Sequence, residues 1–309
     1  MKYSYLLVSV GALAMAACAH VQAADAPGFQ LAITVDDLSA HGSLPPGVTR
    51  QQVADSFLSA FKAHKVPEAY GFINGVQLER EPDSRGVMTA WRAAGYPLGN
   101  HGYTHMNSGQ STAAAFEGDI AGNEALLGEL MAGQDWHWLR FPFLVAGSDQ
   151  THAEIMNYVT SHGYKVADVS MSFNDWAYTD TYARCMAKGD TATVEALKTR
   201  YMNDVRASVK RSRVMSQKVY GREIPQVLLI HIGAFTAQML PQVLDVFEAE
   251  GAHYVTLAQA ESDGAYDESG PKAGQGTLIE RTAQEKGVNV WTPDIPTLSD
   301  TNEIAAMCK

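Results

Sequence analysis

Strand-like and helix-like segments alternate over more than two hundred residues of this 309-residue chain. Short apolar runs are each followed by a stretch in which apolar residues recur at helical spacing. This alternation is typical of a parallel sheet, because parallel neighbours need a long crossover connection that is usually a helix. The predicted strands are Phe29–Val35, Ala69–Ile73, Tyr96–Gly99, Trp138–Phe141, Tyr164–Val169, Val227–Ile230 and Tyr254–Leu257.

The intervals between these strands carry the predicted helices. Each presents apolar side chains on one face, as a helix covering a sheet should. The predicted helices are one around Val53 to Phe61, Asp83 to Ala94, Ser111 to about Met131, one ending at Gly163, about Thr191 to Val219, and one around Leu240 to Glu250.

Polar residues of the kinds that bind metals or catalyse reactions lie where five of the predicted strands end. In a closed α/β barrel the carboxyl ends of all strands meet on one face, so five loops can share one site. An open doubly wound sheet would spread the same residues along a crevice, and the sequence has no glycine-rich phosphate loop. We therefore predict a barrel-like closure. The residues at strand ends are Asp36, Asp37, His101, His105, Arg140, Asp175 and His231.

His101 and His105 have the spacing of metal ligands. Residues four apart lie on the same face of a helical turn, so both imidazoles can bind one cation. Asp36 and Asp37 offer a third ligand, and because adjacent residues at a strand end point in different directions, the other carboxylate stays free as a base. Two nitrogens and one oxygen suit zinc, with cobalt, nickel and manganese chemically possible.

The remaining strand-end residues complete a hydrolytic site. Arg140 is a permanent cation that can hold and orient the free aspartate. His231 is placed to give a proton to a leaving amine, and Asp175 can pair with it and raise its pKa. Trp176 and Leu229 would wall a small apolar pocket. These parts predict metal-assisted hydrolysis of an amide or ester with a small acyl group.

In order and spacing, five motifs of this chain resemble the polysaccharide deacetylases of carbohydrate esterase family 4, which carry the NodB homology domain. They are Thr34-Val35-Asp36-Asp37, His101 with His105, Arg140-Phe141-Pro142-Phe143, Asp175-Trp176 and Leu229-Ile230-His231. The resemblance runs from about Gln30 to Ala260. It implies a distorted (β/α)7 TIM-like barrel and metal-dependent removal of acetyl groups from N-acetylglucosamine polymers or acetylated xylan.

The resemblance also implies a role for each motif residue. Asp36 would be the base, with Arg140 holding it, and His231 the general acid, with Asp175 beside it. The metal ligands would be Asp37, His101 and His105, and the backbone N–H of Phe143 would help to hold the oxyanion. Apart from the resemblance, the aromatic residues Phe143, Trp176 and Tyr178 are candidates to stack on sugar rings, with core packing as an equal alternative, and Leu229 is a candidate substrate contact in the pocket wall.

Two positions depart from the family pattern. Gly102 replaces the Ser or Thr that usually follows the first histidine, so a hydrogen bond that steadies the loop is expected to be missing. Ser172 replaces an aspartate three residues before Asp175. The other histidines are assigned to the surface or core, with His41 the least certain because it lies near Asp37.

The N-terminal residues are typical of an export signal, with Lys2, an apolar run from Leu6 to Ala17 and a cleavage point after Ala23. The predicted division is a signal peptide over 1–23, a catalytic domain over 28–262 and a C-terminal extension over 263–309 packed on the barrel. The signal peptide predicts a periplasmic or secreted protein, with lipid anchoring at Cys18 as an alternative. In an oxidising compartment Cys185 and Cys308 are expected to pair.

Composition limits the partners. Apolar residues make up 46% of the chain and the formal net charge is −11. Such a protein should be globular, and its charge disfavours nucleic acid or an anionic membrane. An acetylated carbohydrate is the expected substrate, and the insertion Tyr178–Tyr220 is expected to shape the cleft. Two alternatives stay open: a hydrolase of small amides or cyclic imides, and a glycan-binding protein with a degenerate site.

Overall fold

The computed structural model describes residues 1, 28–81, 83–267 and 273–309. The expected signal peptide and Cys18 lie outside these residues. The described part contains a sheet of seven strands, the number predicted, and every strand pair in it is parallel. The strands are β1 (Phe29–Leu38), β2 (Ala69–Ile73), β3 (Leu98–Asn100), β4 (Trp138–Leu139), β5 (Lys165–Val166), β6 (Gln226–His231) and β7 (Ala252–Tyr254).

The sheet curls into a distorted barrel. The strand order is β5-β4-β3-β2-β1-β6, and β7 pairs with the start of β1. Met171, just after β5, forms a parallel bridge with Leu228 of β6, which joins the two outer strands of that order. The predicted distorted (β/α)7 barrel is confirmed, and the carboxyl ends of its strands face one side.

Helices cover the outside of the sheet. The barrel helices are α1 (Arg50–Ala63), α2 (Gln77–Arg80), α3 (Ser84–Ala93), α4 (Ala113–Gly122), α5 (Glu124–Leu130) and α6 (His152–Ser161). After β5 come α7 (Trp176–Lys188), α8 (Thr191–Tyr220) and α9 (Ala234–Ala249). The C-terminal part contains α10 (Leu257–Ala260), α11 (Gly264–Asp267), α12 (Leu278–Lys286) and α13 (Thr301–Ala306).

Several elements differ from the sequence prediction, and three of them show the physical reason for the difference. The single helix expected up to Met131 is broken at Asn123, whose buried side chain accepts from Gly75 N–H and donates to Ile73 C=O. Helix α7 was not predicted, because its polar and aromatic residues hide the buried face. Strand β7 ends at Tyr254 rather than Leu257, since Thr256 and Gln259 form a capping box that starts α10.

In the structure, the C-terminal residues contact the helices of the barrel, and the domain division stays a prediction. Cys185 of α7 and Cys308 form the predicted disulfide. Thr181 and Arg184 of α7 also donate to carbonyl groups of residues 304–307. Within the described residues, no helix combines the length and apolarity needed to cross a membrane.

Candidate active site

Asp36 lies at the end of β1, where Arg140 fixes its carboxylate. Nη1 of Arg140 donates to the two oxygens of Asp36 at 2.9 and 3.2 Å. Its Nη2 donates to Thr34 Oγ1 at 2.9 Å and its Nε to Ala167 C=O at 2.7 Å. Arg140 is 1% and Asp36 2% exposed. A buried pair with this many hydrogen bonds holds its geometry firmly.

Asp37 points away from that pair. Its φ of +56° and the register shift between Val35 and Leu38 interrupt the strand at this position. Asp37 Oδ1 lies 3.7 Å from His101 Nε2 and 3.5 Å from His105 Nε2. Asp36 Oδ2 also lies 3.5 Å from His101 Nε2. The two carboxylates therefore share His101, while Asp36 pairs with Arg140 and Asp37 lies near His105.

Asp37, His101 and His105 form a donor set that fits a divalent metal. One ligand atom from each lies within 4.8 Å of the other two. Nδ1 of His101 is 2.8 Å from Arg140 C=O, and donation there leaves the Nε2 lone pair for a cation. Burial and the nearby His101 lower the pKa of His105 to about 4, so His105 is neutral at pH 7. Two imidazoles and a carboxylate suit zinc.

The helical turn expected around the two histidines is absent. Residues 101–107 form a loop, because Gly102 has φ +71° and His105 has φ +62°, which no right-handed helix allows. The rings of His101 and His105 are nevertheless close, with centroids 4.8 Å apart. The conformation of the loop, rather than the face of a helix, brings the two imidazoles together.

This loop is held by polar side chains that the sequence analysis did not single out. Asp119 accepts from the backbone N–H and the hydroxyl of Thr104, at 2.9 and 2.7 Å. Asn74 donates to the carbonyls of His101 and Gly102, and Asn100 accepts from Gly102 N–H. The hydrogen bond expected to be lost at Gly102 is thus replaced by others. No spacing signal in the sequence marks these partners.

Asp175 and His231 face each other across the site. Asp175 accepts from His231 N–H at 2.7 Å, and its other oxygen is 2.9 Å from His231 Nδ1. Burial alone would lower the pKa of His231, but the charge of Asp175 and this hydrogen bond outweigh it and raise the pKa to about 9. His231 is therefore a cation at neutral pH with its Nε2–H free of Asp175, as predicted.

His41 also belongs to this site, contrary to its assignment to the surface or core. Its Nδ1 is 2.8 Å from Asp37 Oδ2, and its ring centroid is 4.7 Å from that of His231. Burial alone would raise the pKa of Asp37, but the His41 hydrogen bond and the charges of His231 and His101 hold it well below its usual range. Proximity to Asp37 in the sequence was the one available signal.

These residues line a pocket of about 480 Å³. Trp176 is 46% and Phe143 51% exposed, and Leu229 is buried in the wall. Phe143 lies in the middle of a short 3-10 helix (Pro142–Leu144) with φ +58°, and the centre of its ring lies 4.5 Å from that of His105. Phe143 is thus placed beside one of the candidate metal ligands.

The far wall comes from outside the five motifs. Helix α8 contributes Ser208, Arg211, Ser212 and Met215, and the C-terminal extension contributes residues 275–277, Glu280 and Leu298. Arg211 and Glu280 form an ion pair of 2.9 Å, and the guanidinium of Arg211 lies 4.3 Å from the centre of the Trp291 ring. The insertion shapes the cleft, but it does so together with the tail.

The barrel and its strand-end residues resemble those of the polysaccharide deacetylase class. Residues 23–167 match the polysaccharide deacetylase family model. This match covers the first three motifs and confirms the resemblance. A comparison with curated proteins gives no match.

Solved structures share the fold at low sequence identity. The Xyl-CE4 domain of a multidomain xylanase from the hindgut metagenome of Trinervitermes trinervoides is 15% identical, with a TM-score of 0.51 over 82% of this chain and 99% of that one. The polysaccharide deacetylase Bc1974 from Bacillus cereus is 18% identical, with a TM-score of 0.50 over 74% and 91%. A CE4-family pseudoenzyme from Bacillus anthracis is 15% identical, with a TM-score of 0.50 over 77% and 69%.

Proposed function

We propose that this protein is an exported, metal-dependent deacetylase that removes acetyl groups from N-acetylglucosamine-containing or otherwise acetylated saccharides. One observation carries the proposal. A buried Asp36–Arg140 pair, a three-residue metal donor set and an Asp175–His231 pair all face one pocket. This arrangement supplies a base, a Lewis-acid site and an acid around one small volume.

The metal would be held by Asp37, His101 and His105, and zinc fits that set best. When bound, it supplies Lewis-acid polarisation of a carbonyl and of water. The fit rests on the neutral imidazole of His105 and on the Arg140 carbonyl that orients His101. Cobalt, nickel and manganese are chemically possible alternatives for the same donor set.

Asp36 serves as the base in this proposal. Its carboxylate is oriented by Arg140 and takes a proton from the attacking water. The carbonyl carbon of the acetyl group then becomes tetrahedral. The N–H of Phe143, in the first turn of its 3-10 helix, donates to the developing oxyanion.

His231 serves as the acid. Its raised pKa of about 9 keeps it protonated at neutral pH. Asp175 occupies Nδ1, so the proton on Nε2 goes to the departing sugar nitrogen or oxygen as the acyl bond breaks. Acetate and the free amine or hydroxyl are the products.

The sugar is expected to lie between the exposed rings of Trp176 and Phe143 on one side and the pocket residues of α8 on the other. Trp176 and Phe143 offer exposed rings on which a sugar face can stack. Leu229 provides a small apolar contact for the acetyl methyl group. Arg211 and Glu280 provide charged hydrogen-bonding groups for hydroxyls on the opposite side.

The test is acetate release from chitin oligomers, peptidoglycan fragments and acetylated xylan, with small amides and cyclic imides that carry no sugar as a second set. We expect release from at least one carbohydrate and none from the second set. Release from the second set alone would assign the site to small amides. Saccharide binding with no turnover of either set would identify a glycan-binding protein.

A further inference from the structure

Beyond the residues that carry the proposed reaction, His41 makes a direct contact with a proposed metal ligand. His41 Nδ1 lies 2.8 Å from Asp37 Oδ2, while Asp37 Oδ1 faces His101 and His105. The two oxygens of one carboxylate therefore have separate partners. A carboxylate without a partner on Oδ2 can rotate about its Cβ–Cγ bond and present either oxygen to the imidazoles.

The backbone around His41 is anchored on both sides of the ring. Arg50, which is 8% exposed, donates from Nη1 to His41 C=O at 3.3 Å and from Nη2 to Gly42 C=O at 2.8 Å. Ser43 N–H donates to Asp180 Oδ1 at 2.7 Å. These hydrogen bonds fix the loop of residues 41–43, and the loop holds the His41 imidazole next to the Asp37 carboxylate.

The ring itself is also confined. Its centroid lies 4.7 Å from that of His231, and its Nε2 lies 3.4 Å from Trp176 C=O. His41 thus contacts the proposed metal ligand and lies beside the proposed acid. A ring packed between the two halves of the site has little freedom to leave Asp37.

We infer that His41 is a positioning residue for the metal site: its Nδ1–H donates to Asp37 Oδ2 and so directs Oδ1 towards the cation held with His101 and His105. Outer partners of metal ligands act in this way, and their loss costs about 10- to 100-fold in metal affinity. The inference rests on the proposed metal site. It adds a residue that none of the five motifs contains.

Two amide variants separate the hydrogen bond from the bulk of the ring. His41→Asn places an amide nitrogen near the position of Nδ1, whereas His41→Gln places it near the position of Nε2, away from Asp37. His137→Gln is the matched control, since His137 Nδ1 is 3.0 Å from an Asp135 carboxylate oxygen and neither residue lines the pocket. Circular dichroism and thermal unfolding establish that each variant is folded.

The measurement is zinc affinity and stoichiometry on the apo chain, by competition with a chromophoric chelator. We expect His41→Gln to bind zinc about 10- to 100-fold more weakly, with His41→Asn and His137→Gln close to the unchanged chain. At saturating zinc, acetate release by His41→Gln should recover most of its loss.

Other outcomes overturn the inference. Equal zinc affinity of His41→Gln and the unchanged chain, or equal weakening of His41→Gln and His41→Asn, would remove the hydrogen bond as the cause. Two zinc ions per chain, one of them lost in His41→Gln, would make His41 a ligand of a second ion with Asp37 and His231, whose ligand atoms lie within 4.8 Å. No zinc binding by the unchanged chain would sink the proposed metal site itself.

Discussion

The charged side chains of the site are buried in pairs, and each pair has a separate task in the proposed reaction. Asp36 is held by Arg140, and His231 is held by Asp175. Removing one partner of a buried pair leaves an uncompensated charge, so the roles can be read from single substitutions. The clearest readout is the pH at which His231 loses its proton.

We predict that Asp175→Asn moves the alkaline limb of the activity profile to lower pH. A general acid works only while protonated, so activity falls as pH rises through the His231 pKa, which is about 9. Asparagine removes the negative charge that raises this pKa, while the burial that lowers it remains. The measurement is kcat/KM for acetate release across roughly pH 5 to 10, which includes the ordinary pKa of histidine, about 6.5, and the raised pKa of His231, about 9.

An alkaline limb at the same pH in Asp175→Asn and the unchanged chain would contradict the assignment of His231 as the acid. Uniform loss of activity at all pH values would indicate that Asp175 matters for structure alone. Thr236→Val tests this point, because Thr236 donates to Asp175 at 3.0 Å without carrying charge, and it should leave the limb nearly in place.

The sequence predicts the motif residues but misses the residues that hold them in place. Asp36, His101 and His231 follow apolar strands, and parallel strands bring their carboxyl ends together, so their meeting could be inferred. Asp119 and Asn74 lie on other elements, with no spacing that links them to the histidines. Their partners are backbone groups of a loop, and a loop conformation does not follow from periodicity.

At the scale of elements, the loop of residues 101–107 depends on Gly102, which stands where the family pattern has Ser or Thr. Gly102 has φ +71°, and a Cβ there would lie 2.5 Å from Asp119 Oδ2. The Ser or Thr expected from the family motif therefore does not fit this loop. Asp119 occupies the space and supplies the hydrogen bonds instead.

We predict that Gly102→Ala lowers both stability and zinc affinity. A left-handed alanine costs about 1–2 kcal/mol, and the contact with Asp119 adds to this. Gly47→Ala is the control, since Gly47 has φ +78° with nothing within 4 Å of its would-be Cβ. Thermal unfolding and zinc titration should show a larger loss for Gly102→Ala; equal losses in both measurements would exclude a special role for the Asp119 contact.

Helix α8 and the tail add a polar wall to the pocket. Arg211 reaches Glu280 and stacks on Trp291, which is 60% exposed. These groups line the same pocket as the strand-end residues but come from α8 and the C-terminal extension, outside the five motifs. They are therefore suited to contact a sugar adjacent to the acetylated one.

We predict that Arg211→Met lowers kcat/KM for a chitin tetramer about tenfold relative to N-acetylglucosamine, the equivalent of one hydrogen bond from a charged group. Arg200→Met is the control, because Arg200 lies on the same helix in an exposed ion pair with Glu303. The comparison uses the ratio of the two substrates, which a general loss of folded enzyme does not change. An unchanged ratio in Arg211→Met would remove Arg211 from sugar recognition.

The sequence predicts the long helix α8 well and the helix α7 before it not at all. Thirty residues of helical pattern leave little choice at Thr191–Tyr220. In α7 the buried face contains Thr179, Thr181 and Tyr182, which periodicity analysis counts as polar or neutral. Their burial comes from tertiary contacts with the tail and α9, which the local pattern does not contain.

At the scale of the whole molecule, the disulfide ties the C-terminal extension to α7. Cys185 and Cys308 are separated by 123 residues, and the chain between them supplies β6, β7 and the tail side of the pocket. A cross-link over so long a loop restricts the unfolded chain strongly. The tail should therefore contribute to stability as well as to the pocket wall.

We predict that the double variant Cys185→Ser and Cys308→Ser loses roughly 2–4 kcal/mol of unfolding free energy. Urea unfolding monitored by circular dichroism measures the change. The unchanged chain unfolded under a reductant should follow the curve of the variant. Coincident curves for the variant and the oxidised chain would show that the cross-link does not stabilise the fold.

The central claim is that one carboxylate of the Asp36–Asp37 pair acts as base while the other holds the metal. The most direct test measures zinc content and acetate release together in Asp36→Asn and His101→Ala. The account predicts that Asp36→Asn keeps zinc and loses nearly all turnover, and that His101→Ala loses both. Retained turnover in Asp36→Asn, or zinc bound by His101→Ala as tightly as by the unchanged chain, would contradict it.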